Sequence, residues 1–135
     1  MNLSYREFDS ALLPEILEIY RRAGWAAYLG DDEKLARAFD CSLYILGAFI
    51  DGQLVGFIRC VGDGEHIVYV QDLIVDVPFK RRGVGSTLLR RVMERFSHVR
   101  MFTLITDASD EPANAFYRAM GMKRYSDRGV AGYMR

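Results

Sequence analysis

A basic, glycine-containing turn at residues 76–87 (D-V-P-F-K-R-R-G-V-G-S-T) has the residue types needed to bind an anion. An apolar run, 67–75, precedes it, and a helical pattern, 84–96, follows it. The first amides of a helix lack acceptors within the helix, and the helix dipole favours negative charge there. Glycines also let a ligand approach the backbone closely. The turn therefore predicts an anion site made by Lys80, Arg81, Arg82, Gly83, Val84, Gly85 and Ser86.

Two common phosphate motifs do not fit this turn. A P-loop requires a lysine directly after its second glycine, whereas Ser86 follows Gly85 here. A dinucleotide fingerprint requires a third glycine where this chain has Leu88. From the turn alone, two interpretations stay open: an anion site, and an ordinary strand-to-helix connection with a solvated run of charges.

Two adjacent polar residues, Gln71 and Asp72, interrupt the apolar run before the turn. Strict alternation along a strand would bury one of them unless the strand bulges at this point. A splayed strand would free backbone N–H groups near Leu73, and Asp72 would then be a candidate proton acceptor. An ion pair between Asp72 and Arg59 of the neighbouring strand explains the same residue equally well.

Composition narrows the classes of partner. The chain has 18 Lys and Arg and 18 Asp and Glu, so its zero net charge gives no general support for a nucleic-acid or membrane partner. Cys41 and Cys60 form no C-x-x-C motif, and no cluster has the spacing of metal ligands, so we expect no metal. Without a signal-like segment or an apolar stretch that could span a bilayer, we expect a cytoplasmic protein.

The elements that must position these residues follow from hydrophobic periodicity. We predict one domain over residues 1–135, with strands at 3–8, 43–50, 53–61, 67–75 and 101–106 and a final strand or pair within 122–133. Helices are predicted from Pro14 to Gly24, from Asp31 or Asp32 to Phe39, from Val84 to Phe96, and from a cap at Asp110 to Gly121. The order β-α-α-β-β-β-α-β-α-β indicates an α+β fold with a mixed sheet.

Three segments resemble the GNAT acetyltransferase superfamily. K-R-R-G-V-G at 80–85 is similar to its coenzyme-binding signature [QR]-x-x-G-x-[GA], with Lys80 in place of Gln or Arg. L-I-V-D-V-P at 73–78 resembles the L-x-V-x-P that leads into this signature. A-N-A-F-Y-R-A-M-G-M at 113–122 resembles A-x-x-[FL]-Y-x-x-x-G-F, with Met122 replacing Phe. The segments occur in the family's order along nearly the whole chain.

The resemblance implies transfer of an acetyl group from acetyl-CoA to a primary amine of a small molecule or protein, by direct attack on the thioester. It also implies a mostly antiparallel sheet flanked by about four helices. The pantetheine arm would pair with the strand at Leu73, Ile74 and Val75, and the turn would hold the pyrophosphate. Tyr117 would lie beside the sulfur as the acid for the thiolate, although a packing role explains its place on an apolar stripe. Asp110 stands where the family often has an asparagine that contacts the pantetheine.

The acceptor is less well specified. W-x-x-Y at Trp25 to Tyr28 and V-Q-D-L-I-V at 70–75 resemble a subgroup of small bacterial members that is also similar to plant serotonin-type N-acetyltransferases. Trp25, Tyr28 and Asp72 are therefore candidate acceptor residues, with a hydrophobic corner between two helices as the alternative for both aromatic residues. A non-catalytic acyl-CoA-binding regulatory module and an RNA-contacting domain also stay open as functions. Exposed sheet edges are compatible with a homodimer.

Overall fold

The structure, a computed structural model, describes residues 2–135 in two compact units. One unit ends at Leu104, and the other covers Ile105–Arg135. The prediction of one domain over residues 1–135 stays a prediction. No helix within residues 2–135 is both long and apolar enough to span a membrane.

The first unit contains one five-stranded sheet whose strands neighbour each other in chain order. Successive strands from β1 to β4 are antiparallel, whereas β5 runs parallel to β4. A parallel pair needs a crossover connection, which the helix between β4 and β5 supplies. The strands are β1 (Leu3–Glu7), β2 (Tyr44–Ile50), β3 (Gln53–Gly62), β4 (Ile67–Val75) and β5 (Met101–Thr103). The predicted mixed, mostly antiparallel sheet is confirmed.

Three helices accompany this sheet at the predicted places: α1 (Leu13–Ala23), α2 (Asp32–Asp40) and α3 (Val84–Arg95). α1 has Pro14 in its first turn and ends at Gly24, whose φ of 76° is left-handed. Asp31 caps α2 by accepting the N–H of Lys34 at 3.1 Å. A 3₁₀ turn, Ala26–Tyr28, connects α1 towards α2.

Both faces of the sheet are buried. On one face, α1 and α2 enclose a mixed aliphatic and aromatic cluster that includes Tyr20, Phe39 and Phe57. Ile58 and Cys60 alternate with Phe57 along β3, so they point to the opposite face, where they are fully buried. α3 contacts β2, β3 and β4 and buries its own apolar stripe, Val84, Leu88, Leu89 and Val92.

The second unit contains α4 (Glu111–Ala119) and one 3₁₀ turn, Tyr125–Arg128. No strand forms within residues 122–135, so the predicted final strand within 122–133 is wrong. Its segment is mostly exposed, and Gly129 and Gly132 together with the charged residues interrupt any apolar alternation. β5 is also shorter than the predicted 101–106.

Candidate active site

β4 carries one extra residue relative to β3, at Gln71. Asp72 pairs with Arg59 and Val70 pairs with Cys60, which leaves Gln71 without a partner on β3. Directly opposed residues share a face of the sheet. The bulge therefore places Asp72 on the α1 side with Arg59, although Val70, two residues earlier, lies on the opposite side. The irregularity predicted at Gln71 and Asp72 is confirmed.

One edge of β4 is open beyond this bulge. β5 pairs with β4 only over Ile67–Tyr69. The next pair would join Val70 to Leu104, at the point where β4 bulges, which explains why β5 ends early. Among residues 2–135, no strand lies beside residues 70–75 on that side. An extended ligand could pair with the backbone of this edge.

The Asp72 carboxylate is fully buried and accepts three hydrogen bonds. Arg59 Nε and Tyr20 Oη each donate to Asp72 Oδ2 at 2.7 Å, and Tyr28 Oη donates to Oδ1 at 2.5 Å. Gln71 Nε2 donates to Tyr28 Oη at 2.9 Å, which joins the bulge to this network. The ion pair with Arg59 is therefore present, and a role of Asp72 as base or ammonium ligand stays a prediction.

Both phenols of this network hold their protons firmly. Burial raises the pKa of Tyr20, and the neighbouring Asp72 carboxylate raises it further. Burial also raises the pKa of Tyr28, and its hydrogen bond to Asp72 raises it further. At neutral pH, Tyr20 and Tyr28 are therefore hydrogen-bond donors to the carboxylate.

Three aromatic rings stack beside the carboxylate. The Tyr20 ring centroid lies 4.5 Å from that of Tyr28 and 5.8 Å from that of Trp25. Trp25 and Tyr28 are half-buried and pack against the buried cluster, and each still presents part of its surface to solvent. Their role as acceptor contacts stays a prediction. The sequence did not single out Tyr20, whose position fits the helical spacing of the apolar residues Ile16 and Ile19 on α1. A tyrosine on an apolar stripe, in a chain with an unexplained strand aspartate, is the signal that could have found it.

The basic turn leads from the end of β4 into α3. It begins with a 3₁₀ turn, Val77–Phe79, and the side chains of Lys80, Arg81 and Arg82 are exposed. Gly83 is the N-cap of α3, with a left-handed φ of 77° and no side chain to occupy the first amides. The structure therefore combines three cations with an uncapped helix N-terminus, as the sequence predicts.

In the second unit, Asp110 caps α4 as predicted, accepting the Ala113 N–H at 3.1 Å. Asn114 Nδ2 donates to the backbone carbonyls of Asp107, at 2.9 Å, and Asp110, at 2.7 Å, so its amide fastens the loop before the helix. Tyr117 is half-buried. Burial, and secondly the Asp110 carboxylate, raise the pKa of its phenol.

The remaining candidates for reactivity are metal-ligand groups, His98 and Cys60. Within residues 2–135, no group of three or more His, Cys, Asp or Glu side chains could hold a metal ion. The His98 ring nitrogen Nε2 lies 2.9 Å from the Gly64 carbonyl oxygen. Burial raises the pKa of the Cys60 thiol to about 12, so this cysteine is protonated at neutral pH.

Comparison with known proteins gives a family match over most of the chain. Residues 10–122 match the acetyltransferase (GNAT) family. No curated protein matches the sequence. Among solved structures, the chain is 32% identical to a GNAT family acetyltransferase from Streptococcus pneumoniae TIGR4, with a TM-score of 0.86 over 99% of this chain and 97% of that one.

Two solved structures with bound ligands share the fold. One is AAC(6')-Iy in complex with the bisubstrate analogue CoA-S-monomethyl-acetylneamine, at 20% identity and a TM-score of 0.77 over 100% of this chain and 99% of that one. The other is the PaiA N-acetyltransferase of Thermoplasma acidophilum in complex with coenzyme A, at 19% identity and a TM-score of 0.71 over 88% of each chain. The match over residues 10–122, together with the arrangement of strands and helices, shows that this chain belongs to the acetyltransferase (GNAT) family.

Proposed function

We propose that this protein transfers an acetyl group from acetyl-CoA to a primary amine of a small molecule or protein. The observation that carries the proposal is the open edge of β4, which leads directly into the basic turn before α3. Residues 70–86 thus offer backbone groups for an extended chain, followed by cations and helix amides for a diphosphate. The ligands named for the two similar structures, coenzyme A and an analogue derived from it, support the same donor.

The chemical groups of acetyl-CoA match the backbone edge and the basic turn in the same order. Its pantetheine arm contains two amide groups, so it can pair with an exposed strand edge as an added peptide strand does. Residues 70–75 span about 17 Å at the usual rise of a strand, with Leu73, Ile74 and Val75 nearest the turn. The pyrophosphate would then accept hydrogen bonds from the amides of residues 80–86, where the helix dipole and three cations favour negative charge.

The reaction requires the amine nitrogen to attack the thioester carbonyl. A C–N bond forms and the carbonyl oxygen becomes an oxyanion; the carbonyl then re-forms as the C–S bond breaks to release a thiolate. The attacking nitrogen gives up one proton to become a neutral amide, which balances the one proton that the thiolate gains. A backbone N–H near Leu73 on the open edge is the proposed oxyanion donor; loss of one such donor typically raises the barrier by about 2.7–4 kcal/mol. Tyr117 is the proposed acid for the thiolate, because its raised pKa keeps the phenol protonated at neutral pH.

The ammonium form of the acceptor must also lose a proton. Asp72 has no exposed side-chain surface and already accepts three hydrogen bonds. We therefore propose that it acts on the acceptor through Tyr28 and not by direct contact. The ammonium proton would pass to solvent water, while Tyr28 Oη, which donates to Asp72 Oδ1 at 2.5 Å, would hold the acceptor by accepting a hydrogen bond from it. Trp25, stacked in the same cluster, would line the acceptor's path as a candidate substrate contact.

Acetyl-CoA titration and an amine panel test this function together. We expect acetyl-CoA to raise the melting temperature and to give a binding heat by calorimetry. A panel of polyamines, arylalkylamines, amino acids and peptides should contain at least one acceptor that releases free thiol from acetyl-CoA. If saturating acetyl-CoA produces neither a thermal shift nor a binding heat, the proposal fails.

The burial of Asp72 and its three hydrogen bonds favour one alternative, a non-catalytic acyl-CoA-binding regulatory module. Such a module would use the same open edge and basic turn and would need no base. It would bind acetyl-CoA in the calorimeter and release no thiol with any acceptor, including the purified proteome. Thiol release with any amine excludes it.

A further inference from the structure

Arg22 of α1 and Asp76, the residue directly after β4, form a bidentate ion pair. Arg22 Nε donates to Asp76 Oδ1 at 2.9 Å, and Arg22 Nη2 donates to Oδ2 at 2.8 Å. The aspartate side chain is 2% exposed and the arginine side chain 39%. A nearly buried carboxylate is thus neutralised by a cation from another element, in the parallel geometry that only arginine provides.

Asp76 is the point from which the basic turn leaves the sheet. Its N–H donates to the Val55 carbonyl of β3 at 2.8 Å, which fixes its backbone. Its Oδ1 accepts the Val77 N–H at 3.0 Å, and its carbonyl accepts the Phe79 N–H at 2.8 Å. The direction in which the turn starts therefore depends on the position of the Asp76 side chain, which Arg22 holds.

Asp76 is also the only acidic residue between positions 73 and 93, a stretch that contains five cations. A carboxylate without its partner at the start of this turn would repel a phosphate ligand. Arg22 cancels this negative charge at the start of the turn, whose exposed cations Lys80, Arg81 and Arg82 have the sign that attracts a phosphate.

We propose that Arg22 is a positioning residue for coenzyme binding: it holds Asp76 and cancels its charge, so that the turn at 80–86 accepts the diphosphate. This inference rests on the proposed function, since it assumes that the turn binds coenzyme A. It assigns a binding role to α1, which lies outside the turn, through an ion pair between residues 54 positions apart.

Coenzyme A itself is the probe, titrated into the full chain by calorimetry at low and high salt. We expect Arg22→Met to weaken coenzyme A binding about tenfold at low salt, the order expected for one uncompensated charge near a phosphate. At about 0.5 M salt the difference from wild type should shrink, because the effect is electrostatic. A loss that arose only from altered packing would not depend on salt in this way.

Arg21→Met is the matched control, because Arg21 lies on the same helix and, within residues 2–135, its ion pair is with Glu18, which Arg22 Nη1 also contacts at 3.3 Å. It should bind coenzyme A within about twofold of wild type. The double variant Arg22→Met/Asp76→Asn removes both charges and should recover most of the lost affinity, since no unpaired carboxylate remains. It also keeps a side-chain oxygen for the Val77 N–H, so it serves as the test if Arg22→Met alone does not fold.

Two results would overturn the inference while leaving the proposed function intact. One is coenzyme A affinity of Arg22→Met equal to that of wild type and of Arg21→Met. The other is a double variant that folds yet binds coenzyme A at least tenfold more weakly than wild type. Failure of the wild-type protein to bind coenzyme A would instead overturn the proposed function, so the two failures are distinguishable.

Discussion

Asp72 and Arg59 face each other on one side of the sheet because a single residue, Gln71, is inserted into β4. Their charged groups meet at 2.7 Å, where the aspartate side chain is fully buried and the arginine nearly so. The same bulge lies where β5 stops pairing with β4. One insertion thus explains both a polar network inside an aromatic core and an open strand edge beside it.

Arg59→Met tests how strongly this ion pair stabilises the fold. The change leaves the Asp72 carboxylate buried with two phenol donors and no cation, which typically costs about 3–5 kcal/mol. We expect the free energy of unfolding, measured with urea at pH 7, to fall by that amount.

The control for Arg59→Met is Arg21→Met, which breaks an exposed pair with Glu18 on α1. Exposed pairs contribute about 1 kcal/mol or less, so this variant should unfold close to the wild-type midpoint. If Arg59→Met were no less stable than Arg21→Met, the buried pair would not stabilise the protein as its geometry suggests.

Tyr20→Phe tests the acid–base state of the same network. Burial and Asp72 raise the folded-state pKa of the Tyr20 phenol above its ordinary value of 10.0. A raised pKa contributes stability that is complete below pH 10 and is lost as pH rises from there towards the folded-state pKa. Wild-type stability should therefore fall more steeply above pH 10 than that of Tyr20→Phe, by about 1.4 kcal/mol per pH unit.

Urea midpoints at pH 8, 10 and 11 measure this difference. At pH 8 we expect Tyr20→Phe to be less stable by about 1.5–3 kcal/mol, because it lacks a hydrogen bond to a charged group. Parallel stability curves for the two proteins between pH 8 and pH 11 would show that the Tyr20 phenol titrates alike in the folded and unfolded states.

Much of the fold followed from local sequence signals. Proline and glycine marked the two ends of α1, and the polar pair Gln71 and Asp72 marked the bulge. The strand predicted within 122–133 does not form, and its prediction rested on local signals alone. A strand forms only where a neighbouring strand accepts its backbone groups, and apolar content alone does not supply that neighbour.

The contacts that organise the site were harder to predict than its turn. Tyr20 contacts Asp72 across 52 positions, and Arg22 contacts Asp76 across 54. Helical spacing identified which face of α1 is apolar, but it did not show which polar atoms of β4 lie opposite that helix. Long-range pairs of this kind depend on the register of β4, which a single inserted residue changes.

Asp63→Asn tests a turn between β3 and β4. The Asp63 carboxylate accepts the N–H groups of Glu65, Ile67 and His66, and these bonds lower its pKa to about 2 from an ordinary value of 3.8. A lowered pKa contributes stability above pH 4, which is lost as pH falls towards 2.

Wild type should therefore be more stable than Asp63→Asn at pH 6, and the difference should shrink between pH 4 and pH 2. Urea midpoints of both proteins at pH 6, 4, 3 and 2 measure this convergence. A difference that stayed constant over the whole range would mean that the three backbone bonds do not depend on the charge of Asp63.

Tyr117→Phe tests the proposed acid in the second unit. The phenol is protonated at neutral pH, because burial and secondly Asp110 raise its pKa. Phenylalanine keeps the ring and removes only the hydroxyl group, and with it the proton that could pass to the thiolate. General acids typically contribute 10²- to 10⁴-fold, so we expect turnover to fall by about 100-fold and the dissociation constant of coenzyme A to stay within about twofold.

Tyr133→Phe is the matched control for this change, because Tyr133 lies in the same unit and is 98% exposed. Thiol release with the best amine of the acceptor panel, at saturating acetyl-CoA, compares the two variants with wild type. Wild-type turnover in Tyr117→Phe would assign Tyr117 to packing on α4. A matching loss in turnover and in coenzyme A affinity would place it in binding, because an acid that acts only on the departing thiolate changes the rate and leaves ground-state affinity unaltered.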